Sequence, residues 1–367
     1  MLLVKILFKN FIIDMVRKAG EKNRKLLLIP TLVVFLVIIV FSRTPSLSEW
    51  YIQSIYPFVS TALSTVSGLI PFSLYDLFII TAVLYLLKLI LFVIIRRTSF
   101  KRFLYSIIRF TVVLVLWFYF SWGISYFRED FYSRTNNQKT SYNSENLINF
   151  SNRFIAEANN SYVDFDVMEK EGVRQDLERS YNSLSETLSI NYPNGKRIPK
   201  KMIFESLYTK MGISGYFGPF FNEIHVNSYS LNFTYPFTLA HEMSHQFGIA
   251  SESEANLYAF LVCNNSYDER IRYSAYISIL GYILNDVHTH LPDEYESLVT
   301  SIRPEIIADL QRNREHWLSA RNVTLSVAQD KAYNAYLKSN RVSSGTENYS
   351  EVVGLLISTY VFPDYKP

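Results

Sequence analysis

The chain has 367 residues, room for more than one structural unit. Hydrophobic residues make up 49% and aromatic residues 16%, an apolar excess confined almost entirely to the first third, so an ordinary soluble protein is excluded there. The net charge of +3, with no basic stripe interleaved with aromatics after residue 130, gives no case for a nucleic-acid partner, and the single cysteine, Cys263, excludes an internal disulfide and a thiolate zinc finger.

Met1 to Gly20 alternates apolar and basic residues and reads as a cytoplasmic or interfacial amphipathic helix. Leu26 to Phe41 is nearly unbroken apolar sequence behind Lys22, Arg24 and Lys25. No small-residue cleavage site follows promptly, so it reads as an uncleaved anchor. Three transmembrane helices are expected, near 26–43, 76–95 and 103–122. Lys88 and Arg109 fall inside the last two, within reach of the same basic end, and read as snorkelling side chains. Basic clusters precede the first span and lie between the second and third, so the positive-inside rule makes those segments cytoplasmic. The loop from Ser42 to Asp76 and everything after Trp122 then face outward. Trp117, Tyr119 and Trp122 suit an outer aromatic belt, and Tyr56 to Phe72 reads as re-entrant or interfacial. Residues 1–125 are thus expected to form a membrane anchor and 126–367 an extracytoplasmic domain.

In that domain, residues 128 to 145 are polar and read as a stalk or first loop. Leu147, Phe150, Phe154 and Ile155 form a helical apolar stripe, and Glu169 to Leu188 reads as another helix. Pro193-Asn194-Gly195 is a turn. Ile224 and Val226 alternate with polar residues as a strand does. Glu269 to Val287 and Leu291 to Asn340, broken near Pro304, read as helices. The apolar tail after Val342 is too short to span and is expected to pack on the domain.

The chemistry is concentrated between Tyr235 and Asn256. Pro236 and Thr238 suit a helix start. On that helix His241 and His245 are four apart, so their imidazoles share one face and can bind one Zn²⁺. Glu242 sits where its carboxylate can act as general base toward a zinc-activated water, passing the proton to the leaving amine. A catalytic zinc needs a third protein ligand. Gly248 can end the helix at positive φ, and Ser251 starts another whose first turn carries Glu252 and Glu254. Glu252, heading E-x-x-A-N to Asn256, is the expected ligand, with Glu254 as the alternative. Tyr273 is a candidate oxyanion donor, or else an aromatic on a packed helix face. His225 lies outside any ligand spacing. His288 and His290 suit a surface or capping role, and Cys263 a buried one.

The string from Pro236 to Asn256, with Trp122-Gly-Ile-Ser-Tyr126 and Arg272-Tyr-Ser, resembles a family of bacterial membrane proteins known as the domain of unknown function numbered 3810. More broadly, HExxH followed by E-x-x-A-N is similar to the gluzincin pattern. That resemblance implies His241, His245 and Glu252 as ligands and Glu242 as base, with Asn256 where many gluzincins have Asp and a shorter gap between His245 and Glu252. It also implies that an edge strand, here within Gly218 to Asn227, pairs with extended substrate. The expected fold is α+β and mainly helical: a three-span anchor followed by a zincin-like domain with a small sheet beside the active-site helix. The expected function is a zinc-dependent peptidase of the cell envelope, in the bacterial cytoplasmic membrane, acting on peptide or protein substrates. The alternative is a non-catalytic zincin-like binding or assembly protein of the membrane.

Overall fold

The computed structural model describes residues 21–165, 167–192, 197–345 and 351–359, with the backbone alone for 21–30. The expected N-terminal amphipathic helix and the turn at 193–195 lie outside these residues. In chain order the helices are α1 (Glu21–Arg43), α2 (Pro45–Ser54), α3 (Tyr56–Gly68), α4 (Leu74–Ile94), α5 (Phe100–Ser121), α6 (Phe131–Thr135), α7 (Ser144–Ser161), α8 (Lys170–Ser183) and α9 (Glu205–Met211). The strands β1 (Gly215–Gly218) and β2 (Glu223–Val226) follow. Then come α10 (Tyr235–Gln246), α11 (Glu252–Asn264), α12 (Glu269–His290), α13 (Pro292–Thr300), α14 (Pro304–Ala320), α15 (Val323–Ser339) and α16 (Val352–Thr359). The chain is mainly helical with one small sheet, as its periodicity predicts.

Among the described residues two helices, α4 and α5, are long and apolar enough to cross a membrane, and none of the apolar window of either is buried inside the protein. Each starts at a serine N-cap: Ser73 Oγ accepts from the Asp76 amide and Ser99 Oγ from the Arg102 amide. The first expected span differs in form. Thr31–Arg43 and Pro45–Ser54 qualify only as one broken unit, bent by 103° at the junction of α1 and α2. Pro45 sits at the start of α2, where its ring is tolerated but cannot extend α1. Lys88 and Arg109 are exposed on α4 and α5.

The main core gathers around α10, which packs against α8, α11, α12 and both strands. Phe154, Leu177, Leu239, Met243, Phe260 and Leu280 are fully buried there. The tail joins it: Val352, Val353 and Leu356 of α16 are fully buried. The stripe on α7 is buried too, and Cys263 behaves as a small hydrophobe in the same core.

A second cluster joins the expected outer loop to the domain. Tyr51 and Ile52 of α2, within that loop, and Tyr56, the first residue of the stretch left open as re-entrant or interfacial, belong to it. They pack with Trp122, Ile124 and Ala250. The polar stretch after Trp122 is likewise tied down. Arg128 pairs with Glu49 at 2.6 Å, Arg134 pairs with Glu254, and Phe131 is buried. Charge pairing ties down residues 128–134, whereas residues 136–145 are exposed, as a loop is.

The sheet is an antiparallel hairpin running from Gly215 opposite Val226 to Gly218 opposite Glu223. On its other side β2 bridges Lys200 at His225, so β2 is the inner strand and β1 the edge. The expected edge strand, Gly218 to Asn227, therefore contains the inner strand instead. All four residues of β2 are buried, the mark of a strand covered on both faces.

This hairpin grips the outer end of α4. The Glu223 carboxylate accepts from the Leu74 and Tyr75 amides at 3.2 and 2.9 Å, placing negative charge at the helix N-terminus. Asp76, fully buried, accepts from the Tyr216 hydroxyl at 2.6 Å and the Ile203 amide at 2.7 Å. His225 Nε2 bonds Ser73 Oγ at 2.8 Å, and its ring stacks on Tyr216. Its ring is held by Ser73 and Tyr216 in a structural role. Burial pushes the His225 imidazole down to about 4 from an ordinary 6.5. Between those values the unfolded chain takes a proton that the folded chain refuses. Stability is then full above the upper value and falls as pH drops toward the lower, by up to ~3 kcal/mol. Thermal unfolding of the detergent-solubilised chain from about pH 7 to about pH 4.5 will show this loss, and His225→Gln, neutral throughout, will flatten it. An equal pH slope in the variant would assign the loss to other groups.

Candidate metal centre

Helix α10 opens with Pro236 in its first turn and is buried along almost its whole length. It ends at Gly248, whose φ of +79° favours glycine. A Cβ there would also lie 2.9 Å from Ile52 Cγ2, so the turn needs glycine for space as well as for conformation. Ser251 then caps α11, its hydroxyl accepting from the Glu254 amide at 3.4 Å. Glu252 and Glu254 stand two residues apart in that first turn and so point to different sides. Glu252 turns inward to α10, whereas Glu254 pairs with Arg134. The alternative ligand is thereby engaged elsewhere.

His241, His245 and Glu252 are brought together, each offering one ligand atom, with these atoms all within 4.8 Å of one another. His241 Nε2 lies 3.1 Å and His245 Nε2 3.6 Å from the same oxygen, Glu252 Oε2. Their other nitrogens are held. His241 Nδ1 faces Asn256 Oδ1 at 2.8 Å, and His245 Nδ1 faces the Ile249 carbonyl at 2.7 Å. Both partners accept, so Nδ1 carries the proton and the Nε2 lone pair of each ring is left for a cation. Two imidazoles and a carboxylate form a donor set that could hold a metal ion. The pKa directions agree. Burial opposes charge on His245, yet Glu252 and Glu242 push it up to about 9. Burial likewise opposes charge on Glu252, and the two histidines more than offset it, holding its carboxyl well below the usual range. The pocket therefore favours a positive charge at its centre.

Glu242 lies beside this group, 5% exposed, and its Oε2 has no hydrogen-bond partner among the described residues. Burial pushes it up to about 7, against the pull of the two histidines. Gly215 of β1 makes room for it: a Cβ there would stand 2.7 Å from Glu242 Oε1. The carboxylate fronts two cavities of 890 and 490 Å³, which share Ser214, Gly215, His241 and Glu242 in their walls.

Tyr273 is not brought here. Its hydroxyl donates to Asp309 at 2.6 Å and its ring lies against Tyr162 in the core, the packed-face outcome. His290 Nδ1 faces the Asp286 carbonyl at 2.9 Å at the end of α12, a capping arrangement. The phenol that does reach the group is Tyr333 of α15, which donates to Glu252 Oε1 and lines the larger cavity with Tyr336. No local spacing ties it to the motif, so sequence periodicity could not single it out.

The last carbonyls of α10 have no partner within the helix. Amides just past its end meet two of them: Ile249 donates to the Ser244 carbonyl at 3.3 Å and Gly248 to the His245 carbonyl at 3.0 Å. Side chains from far along the chain add to these, Trp122 Nε1 donating to the His245 carbonyl at 2.8 Å and Tyr56 to the Gln246 carbonyl at 3.0 Å. Arg128 donates to the Gly248 carbonyl in the turn at 3.0 Å, and Tyr181 to the Ala240 carbonyl in mid-helix at 2.7 Å.

A family model described as "Protein of unknown function (DUF3810)" matches residues 51–357, most of the chain, so the chain belongs to that family. No curated protein and no solved structure matches it.

Removing a donor to a buried carbonyl strands the acceptor and costs about 1–3 kcal/mol. Tyr56→Phe, which takes the donor from the Gln246 carbonyl, will lower the denaturant midpoint by that order. Trp122→Phe, whose acceptor keeps the Gly248 amide, will lower it less, and Tyr132→Phe, whose hydroxyl meets Ser358 at 3.3 Å, least of the three. Equal effects at all three positions would show that the α10 carbonyls are not the reason.

Proposed function

We propose that this chain is a membrane-anchored, zinc-dependent peptidase of the cell envelope, with His241, His245 and Glu252 as ligands. The observation that carries the reading is the convergence of two Nε2 atoms on one Glu252 oxygen, with a buried, unpartnered carboxylate oxygen of Glu242 beside them. Zinc suits two imidazoles and a carboxylate, and when bound it supplies a Lewis acid that lowers the pKa of water and polarises a carbonyl.

The chain's own residues supply the rest. Glu242 is the general base: near neutral pH its carboxylate takes a proton from the attacking water and delivers it to the leaving amine nitrogen. Its raised pKa, about 7, suits both halves of that transfer. Asn256 and the Ile249 carbonyl fix the imidazole tautomers, and Tyr333 orients Glu252. The exposed edge of β1 beside Glu242 suits an extended peptide, whose backbone would extend the hairpin. The basic residues flanking α4 and α5 favour a cytoplasmic N-terminus, which sets the site on the periplasmic or extracellular side of a bacterial cytoplasmic membrane.

The test is metal content of the purified full-length chain. Near-stoichiometric zinc is expected in the wild type and in Glu242→Gln, and none in His245→Ala. Asn256→Ala should weaken zinc about 10–100-fold. Hydrolysis of a quenched peptide library should fall by about 10²–10⁴-fold in Glu242→Gln. A folded chain that takes up no zinc would remove the peptidase reading and leave a zincin-like binding or assembly protein.

A further inference from the structure

The larger cavity does not end at the polar surface. From Glu242 its wall runs past Phe217 of β1 to Ile79 of α4 and to Leu114, Val115 and Phe118 of α5. Ile79 lies five residues into α4 and Val115 six residues before the end of α5, so this wall reaches roughly 8 Å below the helix ends. No residue in the apolar window of either helix is fully buried, although the two touch each other and α1 packs on α5. The smaller cavity leaves the same carboxylate in another direction, toward Asn313 and Trp317 of α14. The two cavities therefore meet at Glu242, one with an apolar wall on the membrane helices and the other walled by polar and aromatic side chains.

From this we infer that the substrate is a polypeptide held in the bilayer by its own transmembrane segment, entering sideways between α4 and α5 and cut just outside the membrane. The inference rests on the peptidase reading and names its substrate class. The wall that an acyl chain would also fit continues into β1, which among the described residues pairs with a strand on one side only and lines both cavities. A free strand edge offers alternating N–H and C=O groups that a peptide backbone satisfies and an acyl chain does not. A membrane segment seated against Leu114 and Val115 would lead its outer, extended continuation along β1 and across Glu242.

The experiment uses the zinc-loaded full-length chain in phosphatidylcholine vesicles. One quenched probe carries a randomised outer stretch followed by an apolar segment of about 20 residues. The other carries the same stretch followed by a polar segment of equal length. The tethered probe should be cut at least ~10-fold faster, as confinement of both partners to one bilayer raises their effective concentration. Val115→Trp, which narrows the mouth, should collapse the ratio toward one. A second readout does not depend on turnover. Glu242→Gln carrying a photoreactive benzoylphenylalanine at position 115 should cross-link to the tethered probe and not to the untethered one. Equal cleavage of both probes overturns the inference with the peptidase reading intact, as does cross-linking to phosphatidylcholine alone. If neither probe is cut, the peptidase reading falls, and the absence of a tethered cross-link would then remove the sideways entry too.

Discussion

A helix buried from end to end must find hydrogen-bond donors for its last carbonyls, because no water reaches them. Helix α10 meets that constraint partly with amides just past its own end and partly with side chains from far along the chain, Tyr56 of α3 and Trp122 just past α5. The His245 carbonyl is one of those served, so the backbone that carries this imidazole is pinned directly from the end of an apolar helix. The hairpin on the other side of α10 is pinned in the same way, through Glu223 and Asp76 at the first turn of α4. The site and the apolar helices are thus joined by a small number of buried polar contacts, each costly to break because its partner would be left unsatisfied.

Those contacts leave the centre of the site with one chemical preference. Two imidazoles and one carboxylate share a buried volume. The charge of that carboxylate pushes the His245 ring up against the effect of burial. On the proposed reading a divalent ion would draw on both imidazole lone pairs at once. Glu242 takes part in this balance through its charge, but burial sets its own level, and Gly215 lets the backbone of β1 come close without a side chain to bond it. A carboxylate that is buried, near the charge and unpartnered is held ready for a proton rather than for structure.

What was legible in the chain divides by sequence distance. His241, His245 and Glu252 lie within one helix–turn–helix. Helical periodicity, the glycine at Gly248 and the serine cap at Ser251 suffice to bring them together. The choice of Glu252 over Glu254 also follows locally, since positions two apart on a helix face apart. Strand β2 was visible in its alternation, but which strand is the edge was not. That depends on Lys200, which pairs with β2 from another segment. Tyr333, Tyr56 and Trp122 were invisible as site residues for the same reason: their partners lie about 80 to 190 positions away, and no spacing rule spans that range. Tyr273 misled in the opposite way. Its helix is apolar on most sides, so periodicity could not say which aromatic faces the cleft and which the core.

The support of α10 by Tyr56 and Trp122 bears on how such a chain can change over time. A peptidase module whose ligands and supports are all contiguous can be fused to a different anchor and keep its geometry. On the proposed reading the ligands sit in one short stretch, while two of the groups that satisfy their helix belong to the anchor itself. Exchanging the anchor would deliver the ligands onto a helix whose Gln246 carbonyl has lost its donor. Such a chain would be inherited as a whole, its anchor diverging under the constraints of the site it supports rather than those of a tether.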